Sequence, residues 1–203
     1  MRKIQKIVIF YRRSPVRNDV LQDLVKDERG KELKLQKDCK TRWSSVMVML
    51  RNFLEIRVQI HKDLSDRGKE SMFPTPAEID HTKSLAEALK IIAFLTAKLG
   101  ARDMNLAKAD EIFEFALEQL DQLDSPISDD LYSHMKARII ERRLQHVATL
   151  LGYLQNPKFL FGRRHKLPYS NKAEITDEAV KLYTRLFDSD VANDDMDTSD
   201  QGN

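Results

Sequence analysis

The chain has 203 residues, of which 33% are charged and 41% hydrophobic, and its formal net charge is +2 at pH 7. A single cysteine excludes an internal disulfide and indicates a reducing compartment, the nucleus or the cytosol. The longest apolar runs are far shorter than the roughly 20 residues of a membrane-spanning helix. We therefore expect a soluble chain with a buried core that does not cross a membrane.

The net charge is unevenly distributed along the chain. Residues 188–203 carry six aspartates and no lysine or arginine, so removing their −6 from +2 leaves +8 on residues 1–187. A body of that charge can meet a polyanion. The last sixteen residues have no aromatic side chain and little to bury, which predicts a disordered acidic tail. Such a tail is either a solubilising end or an interaction segment.

Hydrophobic periodicity predicts two helices and one strand before the only tryptophan. The first helix ends at Ser14-Pro15, and the second ends near Gly30. Leucine alternates with polar residues in ELKLQKD, residues 32–38, which predicts a short strand with no obvious partner. The apolar positions at helical spacing are Ile4, Ile7, Val8 and Tyr11 in the first helix and Val20, Leu21, Leu24 and Val25 in the second.

Five further helices are predicted after the tryptophan. The best start signal is Thr75 with Glu78, a capping box for a helix that runs to about Leu99. The others are a long helix from Ser44 to residue 66, one over 105–123, one over 129–154 and a short one over 176–187, with a basic loop at 157–173. Along the long helix, the predicted core face consists of Met47, Leu50, Leu54, Val58 and His61.

No pattern in the chain predicts a metal or cofactor site. The five histidines are unpaired in spacing, and Cys39 stands alone, whereas zinc sites use such residues in pairs. Glu111, Glu114 and Glu118 share a helix face, which we interpret as a solvated stripe rather than a set of metal ligands. Asp129 and Asp130 are expected at a helix start, as cap and dipole partners. We expect no metal, no cofactor and no small-molecule substrate.

Basic residues cluster in three places, each of which is either a solvated face or a phosphate-binding site. One cluster surrounds the first helix, one lies on the 129–154 helix, and one is the loop GRRHK at 162–166. RRSPVR and GRRHK also resemble weak nuclear signals, which favours the nucleus over the cytoplasm. The members of the first two clusters are Arg2, Lys3, Lys6, Arg12, Arg13 and Arg17, and then Arg138, Arg142 and Arg143.

Three stretches, taken in order, resemble hAT-type (hobo-Activator type) DNA transposases. The first runs over 6–60 and includes Thr41-Arg42-Trp43, and the others are NLAKADEIFEFALEQLDQL at 105–123 and HVATLLGYLQNPKFL at 146–160. The resemblance covers roughly residues 3–187. It implies a mainly α-helical chain in which 1–44 is the end of a ribonuclease-H-like core, with 32–38 as its last strand. Residues 45–187 would then be the helical insertion, before the tail at 188–203.

The same resemblance bears on catalysis. The family cuts DNA with three carboxylates that hold divalent metal ions. The resemblance implies that two of them lie upstream of Met1 and the third beyond the insertion, and none has a counterpart in this chain. We therefore expect an interior piece of a transposase that is not an enzyme by itself.

The resemblance also names a nucleic-acid-binding site. In the family, the tryptophan of this motif stacks on a base pushed out of the duplex near the transposon end, which here would be Trp43. Arg42 can hold the adjoining phosphate, and Thr41 or Ser44 can cap the next helix. Arg12 and Arg13 complete the candidate site. The alternative interpretation is that Trp43 fills the joint between strand and helix.

Three functions remain open from the sequence. The first is a DNA-binding remnant whose partner is transposon-end-like or unpaired-base DNA. The second is a scaffold that binds protein partners or a second copy of itself, through helix faces that the absent sheet would have covered. The third is a truncated gene product with no selected role.

Overall fold

The computed structural model describes residues 1–38, 43–155 and 166–194. Within them lie nine α-helices, one 3₁₀ turn at Glu70–Met72 and no β-strand, so the predicted mainly helical class is confirmed. No helix in the described part of the chain is both long enough and apolar enough to span a membrane. The helices are α1 Arg2–Arg12, α2 Pro15–Arg29, α3 Trp43–Glu55, α4 Arg57–Asp66, α5 Pro76–Leu99, α6 Leu106–Asp121, α7 Pro126–Arg142, α8 Gln145–Gln155 and α9 Lys172–Asp194.

The chain forms two compact units. The first consists of Met1–Lys98 with Gln119–Tyr132, and the second of Leu99–Glu118 with Ser133–Asn203. These units reflect packing within the chain. They do not test the predicted divisions at 44 and 187, which stay predictions.

The first two helices form as the sequence predicts. All four expected core residues of α1 are buried, and α2 begins at the Ser14 N-cap and ends at Gly30. Gly30 has φ 69°, a left-handed conformation that glycine adopts without a steric penalty. One expectation for α2 is wrong, because Val20 is exposed and Gln22 is buried instead.

The predicted strand at 32–38 is wrong, because these residues form neither a strand nor a helix. The alternation is nevertheless meaningful, since Leu35 is buried in the core and Leu33 packs against it. Side-chain amides take the place of a neighbouring strand. Gln22 accepts from the Leu33 backbone N–H at 3.0 Å and donates to its C=O at 3.2 Å, and Asn52 donates to the Lys34 C=O at 3.0 Å.

The single long helix predicted from Ser44 to residue 66 is broken into α3 and α4 at Ile56, whose backbone is not helical (φ −113°, ψ 23°). The predicted core face is partly wrong, because Val58 and His61 are exposed. The buried residues recur every three or four positions across the break, so the core face is continuous and is offset from the predicted one. The buried residues of the two helices include Met49, Leu50, Phe53, Ile56, Ile60 and Leu64.

The capping box of α5 is confirmed. The Thr75 hydroxyl accepts from the Glu78 backbone N–H at 3.3 Å, and a Glu78 carboxylate oxygen accepts from the Thr75 N–H at 2.8 Å. These two bonds satisfy amides that a helix start otherwise leaves open. The predicted start of this helix is therefore confirmed, and so is its predicted end at Leu99.

The helix predicted over 129–154 is also two helices. It begins earlier, where Ser125 caps α7 through the Ser128 N–H at 3.2 Å. Asp129 and Asp130 are therefore not the capping residues, although Asp129 does lie in the first turn, where the helix dipole favours an acid. It stops after Arg142, and a new helix, α8, starts at Gln145. The break lies next to Arg143, a residue that is drawn into a buried ion pair.

The last helix is longer than predicted at both ends. It starts at Lys172, where Asn171 and Glu174 cap each other's backbone N–H groups at 3.0 Å, and it runs to Asp194. Residues 188–194, which were predicted to belong to the disordered tail, are therefore part of this helix. The rest of that tail, 195–203, and residues 156–165 of the predicted basic loop lie outside the described residues.

Candidate nucleic-acid interface

Helix α1 separates an apolar face from a basic one. Arg2, Lys6 and Arg13 are four and seven residues apart, which at about 3.6 residues per turn places them on one side of the helix. Arg13 follows the helix but keeps helical backbone angles. All three side chains are exposed, on the side opposite the buried residues.

These basic groups differ in whether they already have partners. In the described part of the chain, no ion pair involves Arg2, Lys6, Arg12 or Arg13. Two of the predicted cluster members do have partners. Lys3 lies 2.7 Å from Glu78 in an ion pair. Arg17 donates to the Phe10 carbonyl at 3.1 Å and sits over the Phe10 ring, 4.3 Å from its centre, so it is largely engaged.

Arg12 lies on a different side of α1, next to residues 34–36. It lines a groove of about 440 Å³ together with Lys34, Asn18, Gln36 and Asp19. Two cations and two side-chain amides can contact a phosphate and a sugar or base edge. Asp19 weakens the positive potential there, so the groove is less favourable for an anion than the outer face of α1.

The segment leading into the Thr41-Arg42-Trp43 motif is anchored to α1. Gln5 of α1 donates to the Asp38 carboxylate at 2.9 Å, and Asp38 is the last described residue before the motif. On the other side, Ser44 is exposed in the first turn of α3. Thr41, Arg42 and the side chain of Trp43 lie outside what the structure describes, so both interpretations of Trp43 stay open.

The second predicted basic cluster does not form a single surface. Arg143 has only 5% of its side chain exposed, with its Nε 2.5 Å from one Asp110 oxygen and its Nη2 donating to the other at 2.9 Å. The Nε–H is not aligned for a hydrogen bond, so Nη2 makes the directed contact. Arg143 is therefore a buried structural cation, so both interpretations of it, a solvated face and a phosphate-binding site, are wrong. Arg138 is exposed and pairs with Glu141 at 2.9 Å.

The acidic stripe on α6 is only partly solvated. Glu111 and Glu118 are exposed, as expected. Glu114 instead accepts from the backbone N–H groups of Lys166 at 2.5 Å and Leu167 at 2.6 Å, so it holds a connecting segment. Among the described residues, no three histidine, cysteine, aspartate or glutamate side chains form a group that could hold a metal ion.

Each unit also contains a buried polar cluster that the sequence analysis missed. In the first, the Tyr11 hydroxyl donates to Asp63 at 2.8 Å, and Arg67 Nε donates to the same oxygen at 2.8 Å. Burial, followed by the bond to Asp63, raises the pKa of Tyr11 well above its usual value. The bond to Asp63 raises the pKa of Arg67. The available signal was Asp63 itself, a charge between the core residues Ile60 and Leu64.

In the second unit, Tyr169 completes the cluster around Asp110. The Arg143 guanidinium lies 4.9 Å from the centre of the Tyr169 ring and donates to the Pro168 carbonyl at 2.6 Å. Burial raises the pKa of Tyr169 well above its usual value, and the negative charge of Asp110 adds to that effect. Both clusters consist of an aspartate, a tyrosine and an arginine.

No protein-family model, no curated protein and no solved structure matches the chain. The resemblance to hAT transposases thus rests on the quoted residues alone.

Proposed function

We propose that the chain binds DNA through the outer face of α1 and the adjacent Thr41-Arg42-Trp43 motif, and that it does not cut DNA by itself. This role belongs in the nucleus. We also propose, on the resemblance, that 1–44 corresponds to the end of a ribonuclease-H-like core and 45–187 to the helical insertion.

The observation that supports this proposal most directly is the set of exposed cations on α1. Arg2, Lys6 and Arg13 share one side of a single helix, and no described acidic side chain pairs with them. Like charges held together repel one another, and a polyanion relieves that repulsion while releasing its own counterions. Basic residues with acidic neighbours, such as Lys3, would contribute much less.

The anchored segment gives a reason for the position of the motif. Asp38 is tied to α1 through Gln5, so the chain enters the motif beside the basic helix. An aromatic face that stacks on an unpaired base contributes about 1–3 kcal/mol. Phosphate contacts from α1 would supply affinity without sequence preference, and Trp43 would supply a preference for unpaired bases.

The proposal is tested by fluorescence anisotropy with a labelled hairpin carrying an unpaired base and with a fully paired duplex, over a range of salt concentrations. Arg13→Ala should weaken binding to both DNAs and lower the slope of log K against log salt by about 0.9. Trp43→Ala should weaken hairpin binding by about 1–3 kcal/mol and duplex binding much less.

Arg102→Ala is the matched control, since Arg102 is an exposed arginine of the second unit. It should leave both affinities unchanged. The proposal fails if the wild-type chain binds neither DNA at low salt, or if Arg102→Ala weakens binding as much as Arg13→Ala does.

A further inference from the structure

The groove between the end of α1, the start of α2 and residues 34–36 brings together several polar side chains. Its volume is about 440 Å³, within the size range of binding pockets. In the described part of the chain, none of these side chains forms a hydrogen bond or an ion pair with another residue, so their bonding capacity is available to a ligand. They are Arg12, Asn18, Asp19, Lys34 and Gln36.

Both walls of this groove are held in place by the fold. On one wall, Leu35 is buried in the core between Lys34 and Gln36, and Asn52 donates to the Lys34 carbonyl at 3.0 Å. The other wall is the start of α2, a helix of 15 residues with Ser14 as its N-cap. The polar side chains therefore project from a fixed backbone, which lowers the cost of ordering them around a ligand.

The charges at the groove have both signs. Arg12 and Lys34 only donate hydrogen bonds and suit a phosphate, whereas the Asp19 carboxylate only accepts them. Among the described residues, Asp19 forms an ion pair with neither cation, although all three line the same groove. A ligand that satisfies all three carries an anion at one end and hydrogen-bond donors at the other. A nucleotide has this pattern in its phosphate and its base edge.

The Asp19 carboxylate also distinguishes among bases. Its two oxygens are best satisfied by two donors side by side. Guanine presents two such donors, N1–H and N2–H₂, on its Watson–Crick edge. Adenine, cytosine and thymine each present a single donor there, next to an acceptor. In an unpaired base this edge is open to side chains. The groove therefore favours guanine.

We propose that this groove binds an unpaired guanine nucleotide of the DNA. Arg12 and Lys34 contact its phosphate, and the Asp19 carboxylate accepts from N1–H and N2–H₂ of the base. This inference rests on the proposed function, to which it adds a preference for one base. Seven residues separate Gln36 from Trp43 and reach at most about 25 Å. A guanine within a few nucleotides of the base that stacks on Trp43 can therefore occupy the groove.

Other ligands match the groove less well. An acidic peptide would supply only acceptors, and Asp19 would repel its charges. A divalent cation takes several oxygen ligands, whereas the groove has one carboxylate beside two cations. Among the described residues, no group of three potential metal ligands exists here or elsewhere.

The test is fluorescence anisotropy with duplexes that carry an overhang of four thymines, in which one thymine at a time is replaced by guanine, adenine or cytosine. Guanine at one position should tighten binding by about tenfold, as one bidentate base contact does. Adenine and cytosine should have much smaller effects. Arg12→Ala should weaken binding to every overhang and leave the preference for guanine, because phosphate contacts carry no base identity.

Asp19→Asn should move the preference from guanine to adenine, because an amide donates and accepts side by side, as the adenine edge requires. Since Asp19 is exposed, circular dichroism should show unchanged helix content. Asp23→Asn is the matched control. It removes the same charge at an exposed residue one turn further along α2 that does not line the groove. The guanine preference should be unchanged in this control.

Two results would overturn this inference and leave the proposed DNA-binding function standing. One is equal affinity for all four bases at every position of the overhang, and the other is a guanine preference that survives in Asp19→Asn. Displacement of the overhang by free dGMP at micromolar concentration would also overturn it, since the groove would then serve free nucleotides. If no overhang binds at low salt, the proposed function and this inference both fail.

Discussion

Among the described residues, each unit buries one aspartate, but the two units neutralise it differently. In the first unit, the cation is Arg67, four residues after Asp63 and just past the end of α4, and 31% of its side chain is exposed. In the second unit, the cation is Arg143, 33 residues from Asp110, and only 5% of its side chain is exposed. The partners of the first ion pair are close in sequence and its arginine is partly exposed. The partners of the second are far apart in sequence and both are buried.

This difference indicates what holds each unit together. The first unit has a continuous apolar cluster drawn from α1 to α5, and its ion pair lies at the edge of that cluster. In the second unit, residues 166–170 have no helix or strand of their own. Arg143, Glu114 and His146 fix them through hydrogen bonds of 2.5–2.7 Å. Polar contacts therefore matter more to the second unit than to the first.

The largest effect on this comparison is expected from Arg143→Met. The substitution leaves Asp110 buried without its cation, which costs about 3–5 kcal/mol when one partner of a buried pair is removed. Urea unfolding followed by circular dichroism and by hydrogen exchange of α6 and α8 should show the loss in the second unit. Exchange in α1 and α2 should change much less. Equal destabilisation of both units would contradict the distinction.

Arg67→Met is the corresponding change in the first unit and should cost less, about 1.5–3 kcal/mol, the value of a hydrogen bond to a charged group. Water can reach the partly exposed end of this ion pair, and Tyr11 still donates to Asp63. The same urea titration gives the difference between the two variants. A larger loss for Arg67→Met than for Arg143→Met would reverse the comparison.

Asn52→Ala should release residues 33–36 from α3. The amide that donates to the Lys34 carbonyl is lost, and an unsatisfied buried acceptor costs about 1–3 kcal/mol. Hydrogen exchange should then quicken at residues 33–36 while α6–α9 stay protected. Gln122→Ala, a change to an exposed amide, is the control and should have little effect.

The smallest effect is expected from Glu78 and depends on pH. The bonds from Lys3 and from the Thr75 backbone lower the pKa of Glu78 from 4.5 to about 2. Because the folded pKa is the lower one, this contribution to stability is present above pH 4.5 and is lost as the pH falls toward 2. Glu78→Gln should therefore flatten the fall in melting temperature between these pH values. An unchanged acid profile would remove Glu78 from the account.

Local signals allowed parts of this fold to be predicted. The start of α5, the ends of α1 and α2, and the core face of α1 follow from capping residues, glycine and periodicity within a few positions. The breaks at Ile56 and after Arg142 were not predictable in this way. No proline or glycine marks them, and they become visible only with the packing around them.

The candidate site was predicted less completely than the fold. Arg12 and Arg13 could be chosen from charge alone, and they are exposed without described ion-pair partners. Charge alone did not show that Lys3 and Arg17 already have partners or that Arg143 is buried. These properties depend on contacts with residues distant in sequence or at the end of a helix. A single sequence contains no direct record of such contacts.

The most direct test of the central claim is hydrogen exchange measured by mass spectrometry with and without the unpaired-base hairpin DNA. Binding on the first unit predicts added protection at α1 and at the residues on either side of the motif, 36–38 and 44–46, with no change in α6–α9. Protection confined to α7, or no change anywhere at saturating DNA, would contradict the assignment of DNA binding to α1 and the motif.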